Sequence, residues 1–216
     1  MAKTLICAPM RVEARALRSA HRAGPIGRDA LRCSGLGGDT AVRRTGYGAK
    51  RSAHSAVRLL AVDFDVLVIA GLAGGLAPDV RSGDVIVASE IRTRTDVLRC
   101  TAAESLADEL TRSGFPVRHG PIASTDRIVQ GARRAELAAT GALAVDLESG
   151  VLAQAAGERP LAVVRVVVDS VGHPLLRPGT VPRGLTALAR LHAVGSCLRR
   201  WSRHTPPEVR TTREEA

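Results

Sequence analysis

Residues 66–75, VLVIAGLAGG, constrain the fold more than any other part of the chain. Val66–Ala70 is apolar without alternation, the pattern of a strand buried on both faces. Such a strand needs a covering layer on each side, which points to an α/β sheet. The cluster that ends it, Gly71-Leu72-Ala73-Gly74-Gly75, lies where α/β folds bind ligands, and glycine lets a ligand approach the backbone. A second strand, Asp84–Ile91, follows a Ser82-Gly83-Asp84 turn.

The rest of the chain alternates in the same way. Thr4–Ala8 reads as a strand ended by Pro9, and Met10–Arg22 as a helix. Ala30–Ser34, a Gly35–Gly38 turn and Thr40–Thr45 form a hairpin-like region, and a helix over Lys50–Val62 follows Gly46-Tyr47-Gly48. Thr101-Ala102-Ala103-Glu104 has capping-box form and starts a helix that runs to about Ser113-Gly114. Strands at Pro121–Ser124 and Ala142–Val145 alternate with helices at Ala132–Ala139 and Leu147–Ala156. Leu161–Val168, LAVVRVVV, is another buried strand, broken only by Arg165. Thr186–Arg203 is a terminal helix with Leu188, Leu191, Val194 and Leu198 at helical spacing. The expected fold is a three-layer α/β/α domain over residues 1–204 with a mixed, mostly parallel sheet. Residues 205–216, polar and proline-containing, are expected to be disordered.

Composition narrows the function classes. The net charge is +10, carried by arginine except at Lys3 and Lys50. That suits an anionic partner, and equally a coding bias toward arginine. Aromatics make up only 2% of the chain, and no nucleic-acid motif is present, which argues against a nucleic-acid-binding module. The GxGxxG fingerprint of a dinucleotide fold is absent after the first strand. Cys7, Cys33, Cys100 and Cys197 lack metal-ligand spacing and read as buried apolar residues in a reducing, cytoplasmic setting. No metal or cofactor is expected. No apolar run reaches the roughly 20 residues of a membrane span.

Three carboxylates stand out. Asp169 ends a buried strand, where partial burial would keep a proton for donation; it is equally a cap for the turn that follows. Glu148 opens a helix and can accept hydrogen bonds from sugar hydroxyls, or serve only the helix start. Glu13 lies one turn into the first helix and could reach back over the strand end, or face solvent.

Taken with their surroundings, these segments resemble the nucleoside phosphorylases and methylthioadenosine/S-adenosylhomocysteine nucleosidases. The resemblance spans roughly residues 3–200 and rests on ordered matches: Ala8–Glu13, Thr45–Gly48, Gly71–Leu76 with Ser82–Val85, Ser124–Asp126, Val145–Ser149 and Arg165–Asp169. It implies cleavage of a purine N-glycosidic bond. Asp169 would protonate the purine and Glu13 would orient a nucleophilic water. Glu148 and Leu147 would hold the ribose. Arg11 with Gly71, Leu72 and Ala73 would hold phosphate if phosphate is the co-substrate. Gly74, Ile128 and Val129 would line the base.

The chain departs from the family at Leu72, where Ser or Thr is common, and at Leu147, where Met is usual. Ile128 and Val129 stand where nucleosidases place a stacking Phe, and Val168 where Ser is common. Its variants look most like the hopanoid-associated phosphorylases. That implies release of adenine from adenosylhopane, a lipid-linked substrate, with transient contact at a membrane surface and a homo-oligomeric state. The alternative is a methylthioadenosine/S-adenosylhomocysteine nucleosidase.

Overall fold

A computed structural model describes residues 2–20, 40–169 and 180–204. Its elements run β1 (Thr4–Ala8), α1 (Arg11–Ala20), β2 (Thr40–Arg44), α2 (Ala49–Leu59), β3 (Val66–Gly75), β4 (Val85–Arg92) and β5 (Val97–Arg99). Next come α3 (Ala103–Arg112), β6 (Val117–Ser124), α4 (Gly131–Ala139), β7 (Ala144–Asp146), α5 (Ser149–Ala153), β8 (Leu161–Asp169) and α6 (Thr180–His204). The expected segment 30–38 and the tail 205–216 lie outside the described residues.

The expected mixed sheet is present. β2, β1, β3 and β8 run parallel in that order. β4 then pairs antiparallel to β8 and parallel to β6, and β6 runs parallel to β7. β7 returns to pair antiparallel with β3 at Gly74 and Gly75. Five strands therefore close on themselves, a feature that alternation along the chain does not reveal. Helices cover the sheet: α6 packs against α1, α3, β3 and β8, while α5 packs against α2, β3 and β4.

The glycine cluster is part of the strand, not a turn after it. β3 runs through Gly75 because β8 pairs along its length and β7 caps its end. Glycine is required there by close approach: a Cβ at Gly75 would lie 2.8 Å from Val80 Cγ1. β6 begins at Val117 and carries Pro121 inside it, at a register shift against β4 between Ala88 and Ile91. A shift of this kind tolerates a residue with no N–H. The expected capping box does not form. Ala102 is the N-cap of α3 without a side-chain bond, and Thr101 Oγ1 accepts the Leu161 N–H instead, at 3.3 Å. The helix expected over 147–156 splits into α5 and a 3₁₀ turn, Gln154–Ala156.

The core is aliphatic, built on Ile6, Val68, Ile69, Val163 and Val164, all without solvent exposure. Cys7, Cys100 and Cys197 are buried free thiols, and burial pushes Cys7 and Cys100 up to about 12. Cys33 lies outside the described residues. Trp201 on α6 is buried, and its Nε1–H donates to Ser105 Oγ on α3 at 3.1 Å. Among the described residues no helix is long and apolar enough to cross a membrane.

Candidate active site

The site forms at the carboxyl ends of β1, β3 and β8 and the start of α5. Glu13 is in the first turn of α1 and is 1% exposed. Its Oε2 accepts the N–H of Met10, just before the helix, at 2.7 Å. That is the reach-back arm of a helix-capping arrangement. Its Oε1 accepts the Leu72 N–H of β3, also at 2.7 Å. One side chain thus fixes the β1–α1 corner to the glycine strand, and Glu13 is not the surface residue that its position allows. Burial raises its pKa, opposed first by Arg165 and then by the two N–H donors, with Glu148 adding a smaller upward push.

Glu148 precedes α5 and is buried. Its Oε1 accepts the Gly48 N–H at 2.9 Å, where Gly48, at φ 84°, begins α2. Burial raises this carboxyl as well, and Arg165 is the chief opposing influence.

Arg165 organises the whole group. It is the single charge in β8's apolar run and is fully buried. A charge in such a place demands partners, because desolvation costs several kcal/mol per ion even after relaxation. Its Nη2 lies 2.7 Å from Asp146 Oδ2 and donates to Ser149 Oγ at 2.9 Å. Asp146 Oδ1 in turn accepts from Ser124 Oγ at 2.7 Å and from the Ser149 and Glu148 N–H groups at 3.1 and 3.2 Å. The charges of Asp146, Glu148 and Glu13 keep the Arg165 guanidinium protonated despite burial. Nε and Nη1 of Arg165 are buried without hydrogen-bond partners. A Cβ on Gly71 would stand 2.5 Å from Nη1 and 2.8 Å from Glu13 Oε1. Three carboxylates around one arginine leave net negative charge, which favours a developing sugar cation.

Asp169 is the last residue of β8 and is 2% exposed. The β3–β8 register slips between the pairs Ala73–Val167 and Gly74–Asp169, so Val168 is the extra residue of a bulge. Bulges beside active sites re-aim a side chain. Asp169 Oδ2 accepts from Arg134 Nη1 on α4 at 2.6 Å, and Arg134 Nη2 donates to the Gly75 carbonyl at 2.6 Å.

The remaining candidates divide. Gly74 adjoins Asp169, since a Cβ there would meet Oδ1 at 3.0 Å. Leu147 and Leu72 are half-buried beside Glu148 and Glu13, while Gly71 and Ala73 are buried in β3. Val129 packs on the small apolar group of Leu76, Ala123, Ala142 and Val145, whereas Ile128 is 57% exposed. Arg11 lines a cavity of about 420 Å³ with Pro9, Met10, Arg44, Gly46, Tyr47 and Arg51. Tyr47 titrates above its ordinary value through burial and then the nearby charges of Glu148 and Glu13. The Leu72 N–H, expected to serve an anion, is already taken by Glu13.

A family profile described as the phosphorylase superfamily matches residues 6–182. This chain belongs to the phosphorylase superfamily. The expectation of an enzyme of the phosphorylase–nucleosidase type rests on that membership. Solved structures of similar fold include a Helicobacter pylori methylthioadenosine/S-adenosylhomocysteine nucleosidase mutant with 5′-methylthioadenosine in its active site. It is 17% identical, with a TM-score of 0.74, covering 95% of this chain and 100% of that one. The Neisseria meningitidis nucleosidase in complex with methylthio-immucillin-A is 19% identical, with a TM-score of 0.75 and coverage of 92% and 99%. Arabidopsis thaliana 5′-methylthioadenosine nucleosidase is 16% identical, with a TM-score of 0.77 and coverage of 96% and 98%. No curated protein sequence matches the chain.

Sequence reasoning singled out Glu13, Glu148 and Asp169 but gave no role to Arg165, Asp146, Ser124, Ser149 or Arg134. Arg165 had a usable signal, a lone charge inside an apolar strand. Arg134 had none, because α4 is rich in arginine and only weakly apolar.

Proposed function

We propose that this protein hydrolyses the N-glycosidic bond of a 5′-substituted adenine nucleoside, in the manner of the methylthioadenosine/S-adenosylhomocysteine nucleosidases. The observation that carries this reading is Glu13. It is a buried carboxylate fixed at both oxygens, beside a buried arginine with an unpartnered Nη1. Its raised pKa suits a base that takes a proton from water, because a catalytic base works best near the operating pH. Water yields its proton to Glu13 and its oxygen bonds to the anomeric carbon. The glycosidic electron pair passes to the purine, and Asp169 delivers a proton to the base. Glu148 accepts hydrogen bonds from the ribose hydroxyls, with Leu147 packed beside it. The negative group around Arg165 stabilises the cationic sugar in the transition state. Gly74 and Val129 border the base, and Ile128 stands at the rim.

A second reading has support in the cavity lined by Arg11, Arg44 and Arg51. None of the three has an ion pair or hydrogen bond among the described residues, and Met10 and Tyr47 give the cavity an apolar side. Such a space suits phosphate as the attacking group. It also suits a bulky 5′ substituent such as the lipid of adenosylhopane, approached from an anionic membrane surface.

The deciding experiment follows adenine release from methylthioadenosine, adenosine and adenosylhopane in vesicles, each with and without phosphate. Phosphate-independent cleavage of methylthioadenosine is expected. Strict phosphate dependence would overturn the hydrolytic reading, and turnover of adenosylhopane alone would establish the lipid-linked one.

A further inference from the structure

The buried end of β8 holds a contact that the proposed chemistry has not used. Arg134 belongs to α4, a helix with no buried residue that rests on the molecule through Leu137 and Ala138. From this thinly packed helix it reaches inward until its side chain is 15% exposed. Its two terminal nitrogens bridge Asp169 Oδ2 and the Gly75 carbonyl, both at 2.6 Å. The bridge ties α4 to the carboxyl ends of β3 and β8 at once. It also makes the two oxygens of Asp169 unequal. Oδ2 is clamped, while Oδ1 has no hydrogen bond among the described residues and lies against Gly74.

We infer that Arg134 is the positioning residue for Asp169, clamping Oδ2 against the Gly75 carbonyl so that Oδ1 alone meets the purine. The inference rests on the reading of Asp169 as the acid. In the proton transfer, the O–H bond at Oδ1 breaks and an N–H bond forms on the purine as the glycosidic electrons arrive there. Asp169 is left as a carboxylate, and its new charge is met at Oδ2 by a guanidinium already in place. The contact passes from guanidinium against a neutral carboxyl to guanidinium against a carboxylate, a full ion pair, so it strengthens as the proton leaves. An interaction that strengthens toward the transition state raises kcat and leaves ground-state binding alone. Arg134 therefore assists departure of a leaving group that needs a proton, and only such a leaving group.

The test compares two leaving groups in the full-length protein. One substrate is the adenine nucleoside that the protein cleaves; the other is 4-nitrophenyl riboside, whose phenolate departs without a proton. Arg134→Ala should lower kcat for the adenine nucleoside by about 10–100-fold, with KM within about threefold, and Arg134→Lys should recover part of the loss. The nitrophenyl riboside should react within about threefold of the parent rate in both variants. In an Asp169→Asn background, Arg134→Ala should add no further loss.

Equal losses on the two substrates would make Arg134 a structural strut and overturn the inference. So would an undiminished kcat in Arg134→Ala while Asp169→Asn is crippled. If Asp169→Asn itself retains the parent rate, the acid reading fails instead, and the two failures are told apart. Where Arg134→Ala does not fold, Arg134→Lys and Arg134→Gln carry the same comparison.

Discussion

Within β8, Arg165 is fully buried and faces charges from three elements: Asp146 of β7, Glu148 at the start of α5 and Glu13 of α1. Asp169, at the end of the same strand, is held by one arginine from a helix with no fully buried residue. The middle of the strand is over-determined. Each carboxylate there also accepts backbone N–H groups, so the loss of one contact leaves the others standing. At the strand's end, the side chain of Asp169 has a single bridge among the described residues. In the proposed reaction the ribose would meet the part that belongs to the core, and the base the part attached to it. Fixed charge would then face the short-lived sugar cation, and the adjustable part would face a base that must enter and leave.

The largest expected effect tests whether the Arg165 group is truly core. Arg165→Met removes the cation and strands three buried carboxylates, so unfolding free energy should fall by about 3–5 kcal/mol. Arg134→Met should cost clearly less, because it strands one carboxylate rather than three. Urea titrations of the two variants decide the point, and equal losses would break the comparison.

Glycines sharpen it further. In Gly71→Ala the new Cβ would stand 2.5 Å from Arg165 Nη1, in a place with no room to yield. In Gly74→Ala it would stand 3.0 Å from Asp169 Oδ1 and 3.4 Å from Arg134 Nη2, against a side chain that can shift with α4. Misplacement by about an ångström can cost about a hundredfold in rate, so Gly71→Ala should lose about that much and Gly74→Ala about tenfold. Steady-state kinetics on folded variants would show the order, and its reversal would locate the rigid part at the base side.

The smallest expected effect is in pH dependence. In the proposed reaction Glu13 would act as a base only when ionised, so the acid limb of kcat should lie above the ordinary carboxylate value of 4.5. Glu148 contributes to that rise, and Glu148→Gln should move the limb to lower pH. Stability follows the same sign. A carboxyl raised in the folded state favours folding most below its unfolded value and loses that contribution as pH climbs through the folded one. Glu148→Gln should therefore gain stability over the parent near neutral pH and lose the advantage in mild acid. Denaturation curves at two pH values would measure it, and a limb that stays in place would separate the two carboxylates electrostatically.

Much of this arrangement is legible in the chain, and the boundary of legibility is physical. Continuous apolar runs mark β3 and β8 because strands covered on both faces exclude polar residues. Glu148 and Asp169 can be picked out because they follow such strands. Arg165 was visible as an anomaly, but its partners come from residues 13, 146 and 148, which only the closed strand arrangement brings together. Thr101 has the right spacing for a cap, yet it bonds across to β8, because a nearby unpaired N–H at Leu161 competes for it. Arg134 was invisible because a helix lying loosely on the surface looks the same in sequence whether or not one of its arginines turns inward.

The scarcity of aromatic side chains has a practical side. The chain contains one tryptophan and one tyrosine. Trp201 is sealed into the seam between α6 and α3, while Tyr47 lines the arginine cavity, in reach of the charges of Glu13 and Glu148. Excited at the red edge of the indole band, where phenol does not absorb, the single tryptophan reports on one place only. Its emission tracks the joining of the last helix to the body of the fold, so unfolding can be followed without a dye.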